Sequence, residues 1–200
     1  MKTKFNVLLT GVGGQGLITL GRLIGLAVMR RGLNVTIAEV HGLSQRGGSV
    51  TVHVRIGEGD SPVIPSGGAH VIIAMEMLEG ARSLTYANRN TTIVLNDVLL
   101  PPPLSKYPTR ESIAAELLRK GVRYFLYNAD KASIEVVGSS ISSNVALLGY
   151  ALAVDRELSQ YIGLDDVEYA IEKTFKGRLV EVNKILLRKS YEDGLRDAGG

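Results

Sequence analysis

Residues 5–16 read FNVLLTGVGGQG, and residues 17–40 continue LITLGRLIGLAVMRRGLNVTIAEV. The first six positions, 5–10, form a short apolar run that predicts a strand. Gly11, Gly13, Gly14 and Gly16 then break it. Residues 17–29 are apolar on nearly every side and end at Arg30-Arg31-Gly32, which predicts a helix buried against the sheet, with Gly32 as its C-terminal cap. Residues 34–40 are a second apolar run of strand length. Strand, glycine turn, helix and strand in succession are one β-α-β unit.

Outward from that unit the same reading continues. Residues 49–56, SVTVHVRI, alternate Val50, Val52, Val54 and Ile56 with Thr51, His53 and Arg55. Period two predicts a strand with one wet face, antiparallel or at an edge, with His53 on the wet side. Residues 71–74 and 91–95 read as strands, and 76–86 as a helix. Pro101-Pro102-Pro103 marks an extended loop. A helix over 111–120 ends at Gly121 and leads into a strand over 122–127. Helices are expected over 143–156, 165–175 and 179–192. Aromatics are only 6% of the chain and Trp is absent, so the core is expected to be aliphatic. These patterns predict an α/β chain: a Rossmann-like, doubly wound, mostly parallel sheet with a C-terminal helical extension. The expected organisation is one unit over 1–200, with the sheet in 1–140 and helices in 141–200.

The glycines Gly11, Gly13 and Gly16 match GxGxxG after a strand and at a helix start. Such a turn lets the backbone approach a phosphate, whose charge the free helix N–H groups favour. Glu39 lies 23 residues beyond Gly16, about where a ribose-binding acid sits in a dinucleotide site. Two readings stay open: an NAD(P)-binding oxidoreductase, or glycines that only let the helix pack closely on the sheet.

Residues 39–49, EVHGLSQRGGS, place an acid, an imidazole, a hydroxyl, an amide and a guanidinium between glycines at a strand end. Ser44, Gln45, Arg46, Gly47 and Gly48 are candidate site residues on that account. Arg46 can clamp a phosphate or carboxylate with backbone help, pair with Glu39, or meet a partner. His41, His53 and His70 have no metal-triad spacing. Glu76 and Glu79 stand one helical turn apart after a strand end; Glu76 can reach a site at the sheet's carboxyl edge, but an exposed, solvated helix start, a position that acids favour, is the expected role. HExxH and GxxxxGK[ST] are both absent.

The charge is +3 with no basic stripe, so nucleic-acid binding is not expected. With no cysteine, this chain alone can build no disulfide, Cys-ligated zinc or iron–sulfur cluster. No run of about 18 apolar residues marks a membrane span, and no signal peptide is legible, so a cytoplasmic location is expected.

GVGGQGLITLGRLIG at 11–25 with AEVHGLSQRGGSVTVHVRIG at 38–57 strongly resembles the β subunit of indolepyruvate:ferredoxin oxidoreductases. More broadly it resembles the γ-type domain of 2-oxoacid:ferredoxin oxidoreductases. ISSNVALLGYAL at 141–152 is similar to the family's Asn-containing helix, and VEVNKILLRKSYEDG at 180–194, with Glu181 and Asn183, to its closing helix. The resemblance implies a heteromeric enzyme that oxidatively decarboxylates a 2-oxoacid, an indolepyruvate or arylpyruvate, with coenzyme A. The products would be an acyl-CoA, CO2 and reduced ferredoxin. It places thiamine diphosphate, Mg2+ and [4Fe–4S] clusters on a large partner subunit, in a hetero-oligomer such as α2β2, and no cofactor on this chain. It carries no catalytic residue onto these positions. It leaves the glycine turn and residues 44–48 as candidate coenzyme A, anion or subunit-interface loops, or as parts of a pure scaffold.

Overall fold

The computed structural model describes residues 4–42, 47–57, 61–102 and 104–199. Among them the strands are β1 (Lys4–Val12), β2 (Val35–His41), β3 (Ser49–Gly57), β4 (Val71–Ala74), β5 (Thr92–Asn96) and β6 (Arg123–Tyr127). They form one sheet in the order β2-β3-β1-β4-β5-β6. β1, β4, β5 and β6 are mutually parallel, while β3 is antiparallel to both β1 and β2. Five strands therefore share one direction.

The first β-α-β unit is split. β2 does not lie beside β1, because β3 turns back and fills the place between them. The alternating pattern of β3 is thus an antiparallel strand, as expected, but an internal one. β2 is the edge, and most of its residues are exposed. His53 is fully buried, against the expectation of a wet face. Ile64, from the segment between β3 and β4, covers that face and donates its N–H to His53 Nδ1 at 3.2 Å.

Eight helices surround the sheet among the described residues: α1 (Leu17–Arg30), α2 (Met77–Arg82), α3 (Arg110–Lys120), α4 (Ala129–Val137), α5 (Ser143–Val154), α6 (Leu158–Tyr161), α7 (Leu164–Thr174) and α8 (Arg178–Ala198). Local chemistry sets several of their ends. Thr109 Oγ1 accepts from the Ser112 N–H at the start of α3, and Gly121, at φ 64°, closes it. Asn128 caps α4 through the Lys131 N–H, and Gly138, at φ 88°, ends it. The expected helix over 76–86 is a short α2 followed by a 3₁₀ turn.

Alternation along β1 sorts the core into two layers. Phe5, Val7 and Leu9 face α1, α5, α7 and α8, whereas Leu8 faces Met77 of α2 and Ile113 and Leu117 of α3. α1 keeps Ile18 and Met29 exposed, so it is less enclosed than its composition predicts. All twelve residues of α5 are buried. It lies between the sheet and α8, and the C-terminal helices form one of the two layers that cover the sheet. The α5–α8 contact depends on Gly149, where a Cβ would stand 2.4 Å from the Leu187 carbonyl oxygen.

Candidate functional site

β1 and β4 are parallel neighbours whose following helices depart in opposite directions, α1 toward β2 and α2 toward β5. That is the topological switch point, where open α/β sheets bind ligands at the carboxyl ends of their strands. The glycine turn occupies it. Gln15 ties the two strand ends together: its Oε1 accepts the Val12 N–H at 2.7 Å, and its Nε2 donates to the Met75 carbonyl at 2.9 Å.

Gly16 caps α1 in the left-handed region, φ 75°. A Cβ there would lie 2.6 Å from Asn144 Nδ2, which donates to the Gly16 carbonyl at 3.1 Å. Asn144 thereby joins the start of α5 to the turn. No side chain caps α1, and its first turn holds no acid. The N-terminal N–H groups of α1 are therefore left for solvent or an anion.

The second half of the sequence signature meets the first. The Gly13 N–H donates to the Gly48 carbonyl at 2.8 Å, and the Gly47 N–H to the Gly13 carbonyl at 3.4 Å. Gly11, in β1, pairs with Val50 of β3. The structure thus brings together Gly11, Gly13, Gly14, Gly16, Gly47 and Gly48. Ser44, Gln45 and Arg46 lie outside the described residues, and so does the anticipated Arg46–Glu39 pairing.

Two clefts flank the turn. One, of about 490 Å³, lies at the switch point and is lined in part by Gly14, Gln15, Thr19, Met75, Leu100 and Asn144. The other, of about 370 Å³, lies toward the sheet edge and is lined in part by Gly13, Ile18, Glu39, His41 and Val50. Glu39 does face the glycine turn across this second cleft. Its strand, however, is separated from β1 by β3, so two strand spacings, about 10 Å, lie between them. In the dinucleotide fold the corresponding strand lies directly beside β1, so the strand order gives no support to a ribose-binding role for Glu39.

Glu76 and Glu79 overturn the expectation of a solvated helix start. They are 0% and 2% exposed. Glu76 Oε2 accepts the Glu79 N–H at 2.8 Å and caps α2. Its Oε1 accepts the Tyr107 hydroxyl at 2.9 Å and the Leu100 N–H at 3.3 Å. Burial and the Glu76 carboxylate raise the Tyr107 phenol well above its ordinary range. Glu79 takes the Ser49 hydroxyl at 2.5 Å on Oε2 and Arg82 on Oε1. Ser49 and Tyr107 come from distant segments, so helix-start statistics could not reveal this burial. Gln15 and Asn144 stood inside the quoted motifs, but nothing local showed what they would bind.

The described residues contain no group of three or more His, Cys, Asp or Glu able to hold a metal, and none of their helices is long and apolar enough to cross a membrane. The missing thiols leave no ligand set for an iron–sulfur cluster.

Residues 6–192 match the family model described as pyruvate ferredoxin/flavodoxin oxidoreductase. The chain is 40% identical to the indolepyruvate oxidoreductase subunit IorB of Archaeoglobus fulgidus, covering 96% of each. Against the subunit of that name from Methanothermobacter thermautotrophicus the identity is 35%, over 95% of each. Among solved structures, a pyruvate oxidoreductase subunit from Thermotoga maritima has the same fold, with a TM-score of 0.76 at 20% identity, over 96% of this chain and 97% of that one. A 2-oxoglutarate:ferredoxin oxidoreductase from Magnetococcus marinus superposes with a TM-score of 0.71 at 18% identity; all of this chain aligns with 32% of that one. The chain therefore belongs to the pyruvate ferredoxin/flavodoxin oxidoreductase family, as a small subunit similar over nearly its whole length to indolepyruvate oxidoreductase subunit IorB.

Proposed function

We propose that this chain is the small, cofactor-free subunit of an indolepyruvate-type 2-oxoacid:ferredoxin oxidoreductase, and that its glycine turn serves the active site of a large partner subunit. The observation that carries the reading is the end-to-end similarity to IorB subunits at 35–40% identity. The site supports it: both halves of the signature form one hydrogen-bonded unit at the switch point.

In this reading the thiamine diphosphate, Mg2+ and [4Fe–4S] clusters sit on the large subunit and supply the decarboxylation and the electron path to ferredoxin. This chain has no cysteine to ligate a cluster, and its described residues hold no group of three or more His, Cys, Asp or Glu for a metal. Its own contribution is binding. Gly11, Gly13, Gly14, Gly16, Gly47 and Gly48 form a surface for the anionic groups of coenzyme A, and Ser44, Gln45 and Arg46 remain candidates on chemical grounds. Backbone N–H groups at the start of α1 and the Arg46 cation match phosphate chemistry.

Co-expression with a large subunit that carries thiamine and cluster motifs tests this. The two chains co-purify, and the complex reduces ferredoxin with an aryl 2-oxoacid and coenzyme A, while this chain alone is colourless and inactive. Full activity of the large subunit without this chain would refute the reading.

A further inference from the structure

The carboxylate of Glu79 is buried at 2% exposure, although Arg82, its ion-pair partner one turn later, has a side chain 60% exposed. A pair three residues apart on a helix needs no burial to form. What Glu79 reaches inward is the Ser49 hydroxyl at 2.5 Å. Ser49 opens β3 opposite Val12 and directly follows Gly48, whose carbonyl takes the Gly13 N–H at 2.8 Å. A short path therefore runs from the Glu79 carboxylate through Ser49 and Gly48 to the glycine turn.

The opposite side of the turn is referenced to the same region. The Met75 carbonyl takes Gln15 Nε2, and Gln15 Oε1 takes the Val12 N–H. Residues 75–79 thus hold the glycine turn from both flanks. Burying a carboxylate is costly unless hydrogen bonds offset the lost hydration. Ser49 is itself exposed and could bond to water instead. Spending a buried charge on it makes sense where the position of the attached backbone matters.

We propose that Glu79 is a positioning residue: through Ser49 it fixes the Gly47–Gly48 segment against Gly13, and so sets the backbone geometry that receives the anionic part of the ligand. This rests on the reading of the glycine turn as a coenzyme A surface. Glu79 itself touches no ligand.

Steady-state kinetics of the assembled complex test the proposal with Glu79→Gln, Ser49→Ala, Ser49→Thr and Gly16→Ala. Tyr127→Phe serves as a remote control that removes hydrogen bonds to Ser190 and Asp193. Glu79→Gln and Ser49→Ala are expected to raise the coenzyme A KM about tenfold, the effect of losing one charge-assisted hydrogen bond, with kcat and the 2-oxoacid KM changed less than about twofold. Ser49→Thr keeps the hydroxyl and restores the KM. Tyr127→Phe lowers the thermal midpoint without moving either KM. If Glu79→Gln fails to fold, Ser49→Ala breaks the same bond from its exposed side. A lower midpoint with an unchanged coenzyme A KM in both variants would overturn the proposal. If Gly16→Ala alone raised that KM, the positioning role would fall and the coenzyme A reading would stand. If none of the variants raised it, both would fall.

Discussion

Gly16→Ala is the perturbation whose size the structure defines best. Two costs arise at one atom. An alanine held at φ 75° pays the left-handed penalty of about 1–2 kcal/mol. Its Cβ would also sit 2.6 Å from Asn144 Nδ2, so the amide must swing away and lose its bond to the Gly16 carbonyl, worth about 0.5–1.5 kcal/mol. The total is about 2–3 kcal/mol, a fall of about 5–10 °C in the thermal midpoint for a chain of this size. Asn144→Ala removes only the hydrogen bond and costs about 1 kcal/mol. In the double variant the amide is already gone, so the loss stays at about 2–3 kcal/mol and falls short of the sum by about 1 kcal/mol. Calorimetric unfolding of the four proteins reads this cycle. Strict additivity would refute the contact between Asn144 and the turn. A neutral Gly16→Ala would refute the left-handed conformation itself.

Gly149→Ala would gain about 1 kcal/mol of helix propensity if α5 were exposed. Beside the Leu187 carbonyl it overpacks at a cost of about 1–3 kcal/mol, so the midpoint falls, and a rise would contradict the close α5–α8 approach. Burial, then Arg55, lowers the His53 pKa below 6.5. The stability this gives is full above 6.5 and is lost as pH falls through the depressed value, so denaturant midpoints decline on acidification and His53→Gln flattens the decline; identical slopes would rule this out. Burial raises the phenols of Tyr107, Tyr127 and Tyr150 above 10, with Glu76, Asp193 and Asp197 adding to it respectively. Their stabilisation is present below 10 and lost as pH rises through the raised values. Ultraviolet titration should therefore show a jump of about three tyrosines on alkaline unfolding. Smooth titration of all eight in the folded chain would be inconsistent with that burial.

The β1–turn–α1–β2 order was legible because its periodicity is local. α3 and α7 likewise announced themselves by apolar spacing, α5 by a nearly continuous apolar run, and Gly121 by its place after a helix. The insertion of β3 between β1 and β2 was not legible, since both orders use the same strands and differ only in long-range pairing. That single exchange weakens the dinucleotide reading of Glu39. His53 looked wet because its strand alternates, and the covering Ile64, with Tyr86 packed edge-on to the imidazole, reverses the inference. α4 was missed although Asn128 and Gly138 marked both its ends. Of the candidate site, the glycines were visible as residue types, whereas the carboxylate behind them was hidden in an ordinary helix start.

Backbone hydrogen–deuterium exchange on the assembled complex, with and without coenzyme A, tests the central claim most directly. Coenzyme A is expected to protect the amides of Gly13, Gly14 and the first turn of α1, together with Gly47 and Gly48, leaving those of α3 and α8 unchanged. Protection confined to the large subunit, with these amides exchanging at the same rate in both states, would contradict the account.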